Sequence, residues 1–263
     1  MAETTPVAKD NAQGGIPAAT VVIFRHAPDG GPPEILMQVR NRKLAFAGGM
    51  AVFPGGRVDP SDHALAKTVD IEDRDEAAHR IAAIRETLEE TGLVLGLRGD
   101  IDAARAVEAR ALLLAEEQLA PVLDQFGWSL ALEDLIPFAR WFPKNERLSR
   151  VFDTRFYLAD LGTGAVEIAV DAGENTRLFW TSAVDALAAA DGGEIEVIFP
   201  TRRNLERIAL FANFDEARAH AEATSVRTIV PFIEEGPQGR SLCIQADCGY
   251  PVTSVPLNDA KRG

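Results

Sequence analysis

Arg85-Glu86-Thr87-Leu88-Glu89-Glu90-Thr91-Gly92-Leu93 packs three carboxylates into five residues and stops at a glycine. Read as a helix, it sets Glu86, Glu89 and Glu90 at i, i+3 and i+4, projecting from one face, where like charges cost about 0.2–0.5 kcal/mol per pair. Two readings follow: an acidic, solvated helix, or a set of hard oxygen donors. Mg²⁺ or Mn²⁺ takes such donors and would remove the repulsion. Arg85 is spaced to pair with Glu89 one turn on. The helix is expected from about Glu76 to Thr91, with Asp73 or Asp75 as its cap and Gly92 as its stop. Ala77, Ile81, Ile84 and Leu88 form its apolar stripe. The glutamates lie off that stripe, free to face a cleft, and His79 is expected at the surface.

About thirty residues upstream the chain reads Ala51-Val52-Phe53-Pro54-Gly55-Gly56-Arg57-Val58-Asp59-Pro60. Paired glycines after a short apolar strand allow positive φ and close approach, so a bare carbonyl can face a metal or a phosphate. An ordinary turn is the plainer alternative. Together the two segments resemble the Nudix hydrolase signature, a Gly-Gly turn followed by a helix carrying R-E-U-x-E-E-x-G-U, with U aliphatic. Arg85, Glu86, Leu88, Glu89, Glu90, Gly92 and Leu93 meet every specified position of the second half.

The resemblance implies an α/β (α+β) fold, an α/β/α sandwich around a mixed β-sheet. It implies a diphosphatase (pyrophosphohydrolase) whose Mg²⁺ or Mn²⁺ is held by Glu86, Glu89, Glu90 and a backbone carbonyl of Gly55 or Gly56. Arg85 takes a structural role, orienting Glu89 or Glu90.

The spacing departs from the simple signature. Counted back from Arg85, the glycine falls at Ile71, so about fifteen residues within 59–75 are inserted. By the same count the signature's first glutamate falls at Ala77, with Asp75 or Glu76 as stand-ins. A split box introduced by F-P-G-G-x-x-D-x-x-D (Phe53 to Asp62) looks like the coenzyme A diphosphatases, the longer peroxisomal-type members and their bacterial relatives. Leu36, Arg40, Lys43, Leu44, Gly49 and the Phe53-Pro54-Gly55-Gly56 turn partly match the upstream pattern of that branch.

Arg40, Arg42, Lys43 and Arg57 are therefore the substrate-binding candidates, against the plainer reading of a solvated basic strand. Lys144, Arg147 and Arg150 form a second anion patch. Beside it, Trp141 and Phe142 could stack on a base, though core burial is the commoner fate of such rings. Glu174, six residues before Trp180, is the candidate general base by family analogy, with Glu167 as its rival. The same chemistry on ADP-ribose, a dinucleotide or a nucleoside triphosphate is the first alternative. A catalytically silent ligand sensor is the second, though a retired site has no reason to keep three repelling carboxylates together.

At 263 residues, with 46% hydrophobic and 25% charged, the chain suits one soluble domain with additions. A net charge of −13 argues against general nucleic-acid binding, which wants a basic face, but leaves room for an anionic small-molecule substrate, because a metal site and a few local arginines can dominate the potential in a cleft. Cys243 and Cys248 read as reduced thiols, too few for structural zinc. Residues 1–15 read as a disordered lead-in rather than a signal peptide, no run is long enough to span a membrane, and no S-K-L ends the chain. A cytoplasmic protein is expected, with a homodimer as an option that family usage leaves open.

Along 16–263, strands are expected at Pro17–His26, Glu34–Val39, Met50–Phe53, Pro137–Trp141, Thr154–Leu161 and Asn175–Trp180. An inserted helical segment within 98–136 is expected, with strong helix composition from Asp102 to Leu123 and a short helix at Leu130–Leu135. Helices at Ser182–Ala190, Thr201–Phe211 and Phe214–Glu222, then an extended tail from Arg227, form a C-terminal extension.

Overall fold

The computed structural model describes residues 14–41, 47–143, 151–162, 175–237 and 239–260. Residues 1–13, Arg42, Lys43, Lys144, Arg147, Arg150, Glu167 and Glu174 lie outside the described residues. Strand β1 (Ile16–Arg25) and β2 (Glu34–Arg40) are followed by two short strands, β3 (Ala51–Val52) and β4 (Gly55–Arg57). Helix α1 (Pro60–Ala66) leads into the long α2 (Arg74–Thr91). Then come β5 (Leu97–Arg98), α3 (Ala103–Glu116), α4 (Leu119–Phe126), β6 (Ser129–Leu130) and a 3₁₀ turn at Leu132–Asp134. Next are β7 (Ile136–Trp141), β8 (Phe152–Asp160), β9 (Asn175–Ser182), α5 (Ala183–Asp191), α6 (Phe199–Ile208) and α7 (Phe214–Ala223). The chain closes with β10 (Thr228–Ile229), β11 (Phe232–Gly236), β12 (Gly239–Cys243), β13 (Ser254–Pro256) and α8 (Leu257–Ala260).

Eight strands form one mixed sheet, ordered β10-β7-β8-β1-β2-β3, with β4 on β1 and β9 on β2. β1 runs parallel to β8 but antiparallel to β2 and β4. The β1–β2 register covers only Phe24–Ile35 and Arg25–Glu34. Below that point the strands part, and each takes a different partner, β4 on Ala18–Thr20 and β3 on Gln38–Val39. The sheet is forked there.

Alternation along each strand splits the core into two layers. Ala19, Val21, Ile23, Tyr157 and Ala159 pack against α2 and the α3–α4 pair. Val22, Phe24, Phe156 and Leu158 pack against α5, α6, α7 and the C-terminal segment. The result is the expected α/β/α sandwich. Each fully buried Ile or Leu of α2 contributes about 1.5–3 kcal/mol.

Helix α2 starts where Asp73 accepts the Glu76 N–H at 2.9 Å and ends at left-handed Gly92 (φ 77°). Asp75 and Glu76, the stand-ins for a signature carboxylate, instead pair with Arg155 of β8, Glu76 at 2.6 Å. One expectation is corrected. His79 is buried, its Nδ1 2.7 Å from the Asp75 carbonyl, because helices on both sides of α2 widen its buried face beyond one stripe. The Asp102–Leu123 segment is helical and breaks at Glu117 (φ 54°). A helix continued through that point would drive the Pro121 ring into the Glu117 carbonyl.

Candidate active site

The expected glycine turn is a strand that ends against α2. Gly55 (φ 150°) and Gly56 pair with Thr20 and Ala19 of β1. A Cβ on Gly55 would lie 2.3 Å from the Ala19 carbonyl oxygen; one on Gly56 would lie 2.4 Å from the Glu86 carboxyl carbon. Both positions need glycine for close approach, and the second places Glu86 directly beside the strand.

Arg85 is almost wholly buried and organises what surrounds it. Its Nε and Nη2 donate to the two oxygens of Asp62 at 3.0 and 2.9 Å, and Nη2 also donates to the Arg57 carbonyl at 2.9 Å. Nη1 donates to Glu86 at 2.9 Å and stands 3.5 Å from Glu89. Burial opposes its charge, but the hydrogen bond to Asp62 and the fields of Glu86, Asp62 and Asp59 prevail and raise its pKa. The expected Arg85–Glu89 pair is present, yet the shortest contacts go to Asp62 and Glu86.

The carboxylate counted onto Ala77 is thereby corrected. Ala77 is fully buried in the core, and Asp62, only 1% exposed, is the acid against Arg85. The count assumed no insertion between Arg85 and that acid, whereas the added residues follow Asp62. Asp59 and Asp62 also form a capping box at the start of α1, a signal already legible in Asp59-Pro60-Ser61-Asp62.

The three glutamates divide their roles. Burial, reinforced by Glu90 and Glu89 and opposed by Arg85, pushes the Glu86 carboxyl up to about 8. Glu86 and Glu89 line a cleft of about 510 Å³. Glu90, 2% exposed, instead accepts the Gly55 N–H and the Gln38 Nε2, both at 2.8 Å. It clamps β4 and β2 to α2. Among the described residues no three His, Cys, Asp or Glu side chains converge as a ready-made metal cage.

Gly55, Gly56, Arg57 and Arg40 all line the same cleft, so four of the expected site residues join the glutamates there. The buried Nε of Arg40 has no hydrogen-bond partner among the described residues. Sequence reading missed the carboxylates of Asp59 and Glu117 at this cleft, and a wall built from β7, β8 and the start of α6. Trp141 lines that wall but belongs to the core: it is 1% exposed, its Nε1 donates to the Tyr250 hydroxyl at 2.9 Å, and Tyr250 donates to Asn204 Oδ1 at 2.6 Å. The two cysteines are free and buried. Among the described residues no helix is long and apolar enough to cross a membrane.

A NUDIX domain matches residues 16–146. The crystal structure of a NUDIX hydrolase from Alicyclobacillus acidocaldarius is 28% identical, with a TM-score of 0.66, over 78% of this chain and 96% of that one. The NUDIX domain of Shewanella oneidensis NrtR, solved with ADP ribose, is 12% identical over 76% of this chain and 90% of that one, at a TM-score of 0.42. No curated protein matches this chain.

Proposed function

We propose, from the premise that this chain belongs to the Nudix hydrolase family, that its pyrophosphohydrolase activity is directed at coenzyme A or an acyl-coenzyme A. The observation that carries this reading is the cleft itself: Glu86 and Glu89 stand on one side of it, and Arg40, from the coenzyme A-like upstream pattern, lines it with them.

Nudix hydrolases require a divalent cation, and the residues here fit Mg²⁺ or Mn²⁺. Glycine at position 56 keeps the space beside the Glu86 carboxylate that a Cβ would fill. Burial, reinforced by Glu90 and Glu89, raises the Glu86 carboxyl to about 8 even with Arg85 against it, so a further positive charge would be accommodated beside it. Mg²⁺ takes one or two carboxylates and completes its shell with waters and phosphate oxygens, so Glu86 and Glu89, with a Gly55 or Gly56 carbonyl, suffice. When bound, the cation neutralises the phosphate oxygens and lowers the pKa of water.

The chain's own residues supply the positioning. Arg85, fixed by Asp62, holds Glu86 at the cleft, and Glu90 holds the Gly55 backbone in place. Arg40 and Arg57 are suited to neutralise and orient the diphosphate or the 3′-phosphate. Water oxygen bonds to a phosphorus, the P–O–P bridge breaks, and the leaving phosphate departs. The products are adenosine 3′,5′-bisphosphate and (acyl-)phosphopantetheine. Glu174 remains the proposed base by family analogy.

Hydrolysis of coenzyme A, acyl-coenzyme A, ADP-ribose, a dinucleotide and a nucleoside triphosphate, each with Mg²⁺ and Mn²⁺, tests the reading. ADP-ribose turnover equal to or better than that of coenzyme A would sink the substrate assignment. Glu89→Gln and Glu90→Gln should each lower kcat roughly 10- to 100-fold or more. Unchanged metal-dependent turnover would overturn the site.

A further inference from the structure

The two sides of the cleft come from opposite faces of the forked sheet. Glu86 and Glu89 arrive from α2, whereas the far wall is made by Trp141, Phe152, Phe156, Ile198 and Pro200 on the other face. Ile198 caps α6, Pro200 lies in its first turn, and both lie beyond the residues matched by the NUDIX domain.

The chemistry of this wall is one-sided. Trp141 has given its indole N–H to Tyr250, and its ring is edge-packed by Phe199 and Tyr250 at 5.9 and 5.6 Å. Phe156 is buried. On this face of the sheet, the neutral polar side chains among the described cleft residues are the threonines 20, 154 and 201. A purine edge carries a donor and several ring-nitrogen acceptors, and a ribose carries adjacent hydroxyls. Most of these would be desolvated here without partners. A branched aliphatic carbon would lose nothing and would bury its surface.

We infer that this wall is a specificity subsite for a branched aliphatic group held next to the diphosphate, and that Ile198 and Pro200 are its determinants. The inference rests on the proposed diphosphatase reading of the same cleft. It deepens that reading by orientation: the dimethyl-substituted carbon of the pantoyl arm, one methylene from the phosphate ester oxygen, packs on the α6 wall. The nucleoside arm then leaves toward Arg57. It also extends the substrate class to diphosphates that contain no pantetheine at all.

The test compares three ADP derivatives with the wild-type protein and Mg²⁺: the β-phosphate methyl ester, the neopentyl ester and ADP-ribose. In each ester, water attacks a phosphorus and the bridging oxygen leaves with the other phosphate, giving AMP and the alkyl phosphate. The neopentyl ester, four carbons larger, should exceed the methyl ester in kcat/KM by roughly tenfold or more if about two of those carbons are buried, and should exceed ADP-ribose, whose hydroxyls the wall would desolvate, by roughly tenfold. Ile198→Asp should erase that preference, with a thermal melt to confirm folding. If the variant does not fold, the wild-type comparison alone decides. Hydrolysis of all three with no preference for the neopentyl ester would overturn this inference and leave the diphosphatase reading standing. Hydrolysis of none, and of no other diphosphate, would overturn both.

Discussion

Two arginines are buried on opposite sides of the sheet, and they are stabilised by different physics. Arg85 on α2 is surrounded by acids: Asp62 and Glu86 at hydrogen-bond distance, Asp59 at 3.4 Å and Glu89 at 3.5 Å. Arg207 on α6 is buried just as deeply but has neutral neighbours. Its Nη1 donates to the Phe138 carbonyl at 2.9 Å, its Nε to His220 at 3.2 Å, and its guanidinium lies 3.9 Å from the centroid of the Phe138 ring. Burial lowers the pKa of Arg207, whereas the acids around Arg85 overcome burial and raise it. A buried cation among carboxylates organises charge, and it does so on the side of the sheet that brings Glu86 and Glu89 to the cleft. A buried cation among rings and a carbonyl is a packing element.

Removing each cation should expose the difference. Arg85→Met strands Asp62 and Glu86 in low dielectric, and a loss of about 3–5 kcal/mol is expected in urea denaturation. Arg85→Lys should recover only part of it, because an ammonium cannot fork onto both Asp62 oxygens. The Arg85→Met/Asp62→Leu pair should be more stable than Arg85→Met alone. If the single variant unfolds at the wild-type urea concentration, the organising role fails.

The acidic side also carries a pH signature opposite in sign to that of His220 beside Arg207, whose pKa burial lowers. A free glutamate ionises near 4.5, but the folded Glu86 ionises near 8. The folded state therefore holds this proton more tightly, and the contribution to stability is lost as pH rises between those values. In metal-free protein Tm should fall across that window, and Glu86→Gln should flatten the slope. Mg²⁺ should restore more stability at pH 8 than at pH 5, with proton release near neutrality visible by calorimetry in two buffers. A Tm that rises with pH equally in both proteins would contradict the assignment.

The same contrast governs what could be read from the chain. On the acidic side the information is local. Asp73, Gly92 and the R-E-x-x-E-E spacing mark α2, its ends and its charged face within twenty or so residues. The short apolar runs of β1 and β2 and the Gly-Gly approach were legible for the same reason. What failed there was a count across an insertion, which hid Asp62, and the burial of His79, which depends on helices that flank α2. On the other side almost nothing was local. Arg203, Asn204 and Arg207 look like solvent residues on a polar helix, yet all three are buried. Arg203 finds its partners locally in Glu206 and Phe199, but Phe138 and Tyr250, which hold Arg207 and Asn204, come from distant parts of the chain, so no window along one sequence can pair them. The apolar cleft wall at Ile198 was missed by the same mechanism.

Arg207→Met should cost about 1–3 kcal/mol, less than Arg85→Met, because what it removes is a carbonyl hydrogen bond and ring contacts rather than the counter-ion of buried acids. The fall of Tm with pH that Glu86 causes should persist in this variant. An equal loss for both arginines in matched denaturant titrations would erase the distinction between them.

Tyr250→Phe probes the aromatic side most gently. The hydroxyl it removes accepts from Trp141 Nε1 and donates to Asn204, so a buried indole N–H loses its acceptor while the ring stays in place. A cost of about 1–2 kcal/mol is expected. Because Trp141 also forms part of the cleft wall, the variant should raise KM for coenzyme A more than it lowers kcat. A fall in kcat with unchanged KM would show that this wall acts on the reaction itself, and that the two sides of the sheet are coupled rather than divided between charge and shape.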